Sequence, residues 1–116
     1  MIKRVILLKR RRGLSLEDFR QQYEEVHVPL ALNFLPTIRK YVRNYITKNA
    51  SPAGAAEPEF DCISEQWFED IEGYQAMMVA ASDGDAGQAL RHSLQAFADA
   101  AKLVHFLVEE VESEVV

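Results

Sequence analysis

Apolar positions along this chain alternate between strand spacing and helix spacing, and each change predicts a new element. Residues 2–9 are β-branched and leucine-rich with no breaker, which predicts a strand. Lys9-Arg10-Arg11-Arg12-Gly13 ends it in a charged turn. Leu14-Ser15-Leu16-Glu17-Asp18-Phe19 then reads as a helix start. Ser15 stands at the N-cap and Asp18 at N3, close to a capping box, while Leu14 and Phe19 are placed for a hydrophobic staple. Phe19, Tyr23, Val26 and Leu30 continue at helical spacing. Pro29 interrupts them, because it removes one N–H and its ring clashes with the carbonyl of Glu25. A kink or break is expected near His27, followed by a short continuation to about Leu35.

Residues 38–48 alternate as a second strand, with Tyr41, Arg43 and Tyr45 on one face and Val42, Asn44 and Ile46 on the other. Residues 49–58 are a loop rich in Ala, Pro and Gly. Residues 60–69 form a third strand, carrying Ile63, Glu65 and Trp67 on one face. Asp70 caps a second helix running to about Ala81, and Ser82-Asp83-Gly84-Asp85 is a turn. Residues 86–101 are helical by composition, in one piece or two, and 102–112 are the last strand. The order strand, helix, strand, strand, helix, strand, joined by right-handed crossovers, gives a ferredoxin-like βαββαβ antiparallel sheet of the α+β class, with helices on one face. Strand four, Leu103 to Val108, is apolar on both faces, and one domain cannot bury both. A second copy of the chain is the simplest cover, so a homodimer is expected.

Composition narrows the function classes without choosing one. At 116 residues the chain fits a single domain over 1–116. The net charge of −5 is uneven: residues 1–48 hold 11 of the 13 Lys and Arg against four acids. The basic residues lie in regular elements and one turn, not in a tail, so attraction between the two halves explains them better than nucleic-acid binding. Arg10-Arg11-Arg12 lacks a Gly-rich loop or interleaved aromatics and reads as a solvated turn. The single cysteine, Cys62, allows no intrachain disulfide, and without a nearby base it reads as a small buried hydrophobe. Val5-Ile6-Leu7-Leu8 is too short for a signal-peptide core, and no stretch is long enough to span a bilayer. A cytoplasmic protein without nucleic-acid or membrane partners is expected.

The most informative segment is Tyr23-Glu24-Glu25-Val26-His27-Val28-Pro29-Leu30. With Arg39-Lys40-Tyr41-Val42-Arg43-Asn44, Ser64-Glu65-Gln66-Trp67-Phe68-Glu69-Asp70 and Phe97-Ala98-Asp99 before a closing strand with Glu109-Glu110, it resembles the EthD family of dimeric α+β barrels. The resemblance covers nearly the whole chain. It departs at Ser93, where relatives often carry an acid four residues before the aromatic, and no role is carried onto that position. The resemblance implies a dimeric barrel around a small-molecule pocket. Its wider superfamily includes cofactor-free monooxygenases, isomerases, cyclases, dehydratases and haem enzymes, and shared fold does not choose among them.

His27 stands where Pro29 frees a carbonyl. An imidazole there can present its other nitrogen to a cavity and work as acid or base near neutral pH, or it can merely satisfy the helix end. Glu65, flanked by Ile63 and Trp67, is a second catalytic candidate if burial raises its pKa, or else a partner for Arg39, Arg43 or a second subunit. Tyr23, Tyr41, Asn44, Trp67 and His105 are the candidate substrate-binding residues. Tyr41 and Asn44 lie on opposite faces of a regular strand, so only one can line the pocket without a bulge, and Asn44 is the favoured polar group. Trp67 and His105 also suit core or interface positions. The spacing of His27, Glu65 and His105 carries no metal motif, and no cofactor fingerprint is present, so neither metal nor cofactor is expected. An enzyme using His27 on an apolar or aromatic substrate, by isomerisation, dehydration or cofactor-free oxidation, stands beside a non-catalytic metabolite-binding or accessory protein.

Overall fold

The computed structural model describes residues 1–116. Four strands form one antiparallel sheet in the order β2-β3-β1-β4: β1 (Ile2–Leu8), β2 (Ile38–Tyr45), β3 (Cys62–Phe68) and β4 (Val104–Val108). Four helices complete the chain: α1 (Leu16–Gln22), α2 (Val28–Phe34), α3 (Ile71–Ser82) and α4 (Gly84–Phe97). This is the ferredoxin-like arrangement that the element order predicts.

Local chemistry accounts for most element ends. Ser15 has extended backbone and its side chain accepts from the Asp18 N–H at 3.0 Å, so α1 is capped as expected. Asp70 does the same for α3, accepting from the Gly73 N–H at 2.9 Å. Gly87 lets the start of α4 close onto the end of α3: a Cβ there would lie 2.7 Å from the Ser82 carbonyl carbon.

The helix does not break at Pro29. Residues Tyr23–His27 form a π-helical turn between α1 and α2. Widening the turn accommodates a proline that would clash in a regular α-helix, and it leaves Pro29 in the first turn of α2, where a missing N–H costs little. His27 therefore sits at the end of the wide turn.

The helices cover one sheet face. On that face β1 places Ile6 and Leu8, and β3 places Cys62, Ser64, Gln66 and Phe68, all buried. Phe19, Tyr23, Val28 and Phe97 pack with Ile6, Leu8 and Cys62, while Ala31, Leu35, Met77 and Leu90 pack with Phe68. Cys62 is fully buried as expected, and burial pushes its thiol up to about 11. The opposite face has no cover within the chain. There Val104 and Phe106 of β4 remain 43% and 42% exposed, beside Val5, Ile63 and Trp67. No helix is long and apolar enough to cross a membrane.

Candidate functional site

Between the helices and the covered sheet face lies a cavity of about 180 Å³. Eleven of its 16 lining residues are hydrophobic, among them Ile6, Met77, Leu90 and Leu94. The other five are Arg4, His27, Gln66, Arg91 and His105, and Tyr23 and Tyr41, counted among the eleven, add their hydroxyls. Three distant stretches of sequence thus converge: the π-helical turn, the inward positions of the strands, and one face of α4.

His27 is oriented by α4. Its Nδ1 lies 3.0 Å from Ser93 Oγ, and its ring packs against Tyr23 and Phe97, with centroids 5.8 and 5.2 Å away. Nε2 makes no hydrogen bond within the chain. Burial lowers the His27 pKa from 6.5 to about 4, so the ring is neutral near pH 7. A neutral imidazole with one nitrogen held can receive a proton at the other, but it is a weak base until something stabilises its cation. Ser93, which carried no expected role, is the partner that fixes the ring.

Beside it runs a line of hydroxyls. Tyr23 OH lies 2.6 Å from Tyr41 OH and 2.7 Å from Ser64 Oγ, and Tyr23 stacks on Phe97 at 4.9 Å. Burial raises the pKa of both tyrosines, so both stay neutral donors and acceptors. In the register Tyr41 faces Gln66, whose Oε1 accepts from Arg4 Nη1 at 3.0 Å. Arg4 Nε is sealed from solvent and has no acceptor in the chain. Burial pushes the Arg4 pKa down. His105, opposite Ile6 in the register, lines the same cavity, and burial followed by the nearby Arg4 charge lowers its pKa.

The remaining candidates lie elsewhere. Glu65, Asn44 and Trp67 are on the uncovered face, because β3 buries Cys62, Ser64, Gln66 and Phe68 and turns the residues between them outward. Glu65 forms an ion pair with Lys3 and accepts from Asn44 Nδ2 at 2.8 Å. Those bonds, led by the one from Lys3, hold its carboxyl below the usual range, which fits the ion-pair alternative and not the raised pKa of the catalytic one. Its partner is Lys3, not Arg39 or Arg43. Arg43 instead grips Glu24 through Nε and Nη2, at 2.9 and 2.6 Å. Trp67 is flanked by Lys3 and Lys40, each ammonium 4.7 Å from the ring centroid. The preference for Asn44 over Tyr41 as pocket group is likewise reversed, since Tyr41 lines the cavity. With Glu65 on the other face, His27, Glu65 and His105 do not converge on one point.

Sequence reasoning missed Arg4, Gln66 and Arg91 of the lining, and Ser93 behind His27. The signal for Arg4 is alternation: Ile2, Arg4, Ile6 and Leu8 share a face, so an arginine stands in an apolar stripe. Ser64 and Gln66 share the inward face of β3 in the same way.

A ferredoxin-like α+β domain with a mostly apolar cavity between sheet and helices, lined also by two histidines and two arginines, defines the class. Comparison with known proteins defines the family. Residues 11–103 match the EthD domain, and the chain belongs to the EthD family. It is similar to an EthD family protein from Bacillus halodurans C-125, with 26% identity over 96% of this chain and 100% of that one, at a TM-score of 0.67. An EthD-like protein from Ralstonia eutropha JMP134 shares the fold at 18% identity, covering 97% of this chain and 94% of that one, with a TM-score of 0.71. So does a dimeric ferredoxin-like protein of unknown function from Bacteroides fragilis NCTC 9343, at 12% identity, covering 94% and 95%, with a TM-score of 0.60. No curated protein matches the sequence.

Proposed function

We propose that this EthD-family chain is a homodimeric small-molecule-binding protein whose cavity takes an apolar or aromatic ligand and whose His27 moves a proton on it. The observation that carries the reading is the cavity itself: an apolar chamber into which a neutral, Ser93-held imidazole, Tyr41, Gln66 and His105 all face. The fixed imidazole suits proton abstraction next to a carbonyl, with an adjacent donor meeting the oxygen that becomes negative. No cofactor is invoked. The dimer would use the uncovered face, where Val104 and Phe106 are exposed, as expected from the dimeric relative.

Solvent deuterium uptake into small enolisable ketones such as cyclohexanone and phenylacetone tests the catalytic part. The expected result is exchange above background that His27→Gln lowers by about a hundredfold or more. Equal exchange by His27→Gln would remove His27 from the mechanism. The low His27 pKa favours a second reading, a binding protein without turnover. Saturable ligand binding with no exchange would support that one.

A further inference from the structure

Arg4 narrows the chemistry of the ligand. Its strand is otherwise apolar on the inward face, where Ile2, Ile6 and Leu8 flank it. The guanidinium spends one Nη1 bond on the neutral amide of Gln66, and its sealed Nε–H has no acceptor. No Asp or Glu lines the cavity. The nearby carboxylates are engaged elsewhere: Glu24 by Arg43 and Tyr45, and Glu65 by Lys3 on the other sheet face. An arginine does not give up its charge, and a cation held in apolar surroundings without an anion is costly. Such a group is stabilised when an anion arrives, and its flat fork of donors suits an oxyanion.

Size limits the rest of the ligand. An engineered cavity of about 150 Å³ accepts benzene, so about 180 Å³ matches one ring with a small substituent. We infer that the cavity binds a one-ring apolar acid, its anionic oxygen on Arg4 and its ring among Ile6, Met77, Leu90 and Leu94. The inference rests on the cavity's being the ligand site and adds the charge of what enters.

Titration calorimetry of the wild-type protein with benzoate and with benzamide, its neutral match in shape, tests the charge. Benzoate is expected to bind about tenfold or more tightly than benzamide, the margin of one charge-assisted bond. Arg4→Met is expected to abolish that margin and leave benzamide within about threefold of its wild-type affinity. The wild-type comparison stands alone if Arg4→Met does not fold, and Arg4→Lys, which keeps the charge, is expected to retain part of the margin. Equal wild-type affinities, or a benzoate margin that survives in Arg4→Met, would overturn the inference while leaving the cavity as a ligand site. Binding of neither probe, nor of toluene, would overturn both.

Discussion

The two faces of the sheet satisfy their charges in opposite ways. On the uncovered face Lys3 meets Glu65 and Glu110, Asn44 meets Glu65, and Trp67 lies between two ammonium groups. Lys3, Glu65 and Glu110 are paired there, Lys40 rests on the Trp67 ring, and Val5, Ile63 and Phe106 lie among them. On the helix-covered face Tyr23, Tyr41, Ser64 and Gln66 pair as neutral groups, His27 is held neutral, and Arg4 has no acid. Polar groups placed inside without counter-charges stabilise little on their own, which is the pattern expected where a ligand completes the set. Apolar groups placed outside among paired charges fit an interface.

Neighbouring residues of β3 offer the sharpest contrast in stability. Phe68 is fully buried against Met77 and Tyr74, whereas Trp67 points out between Lys3 and Lys40. Phe68→Ala is expected to cost about 3–5 kcal/mol in urea denaturation, the usual range for a buried phenylalanine. Trp67→Ala is expected to cost the chain clearly less and to act mainly on self-association, read by sedimentation equilibrium. Equal losses would erase the distinction between the faces.

Acid should separate the faces next. His27 has a folded pKa of about 4 against an ordinary 6.5, so between those values the unfolded chain binds the extra proton. Its contribution is constant above about 6.5, and stability is lost as pH falls toward 4. Between pH 7 and pH 5 the loss is about 2 kcal/mol. His27→Gln is expected to flatten that part of the curve in denaturant titrations at several pH values. Glu65, held below its ordinary 4.5, adds stability that disappears only at lower pH. An unchanged slope in His27→Gln would show that the ring is not held neutral.

The smallest effect is expected on the uncovered face. Glu65→Gln keeps the shape, removes the Lys3 ion pair and is expected to change stability by no more than about 1 kcal/mol, since ion pairs that water still reaches contribute little. It is also expected to leave ligand binding unchanged. A loss of binding in Glu65→Gln would join the two faces into one site.

Element order, both helix caps and the ferredoxin-like sheet were legible in the sequence because they depend on local spacing and capping chemistry, as Ser15 and Asp70 illustrate. The site was legible only in part. Tyr23, Tyr41, His27 and His105 line the cavity, but Glu65, Asn44 and Trp67 do not. The mistake has a physical cause. On β3 the more apolar alternate positions, Ile63 and Trp67, face out, and the polar Ser64 and Gln66 face in, reversing the usual rule that the apolar face is the covered one. Arg4 was hidden for the same reason, as one charge in a strand judged by its hydrophobic average. The π-helical turn was beyond local reading, because Pro29 alone is compatible with a kink, a break or a widened turn.

The central claim is that ligand enters the helix-covered face beside His27. Imidazole ¹⁵N spectra of the wild-type protein with and without benzoate test it most directly, since the three histidines serve as separate reporters. His27 and His105, which line the cavity, are expected to shift on binding, while His92, which does not, stays still. Binding that leaves His27 and His105 unmoved would place the ligand elsewhere and contradict it.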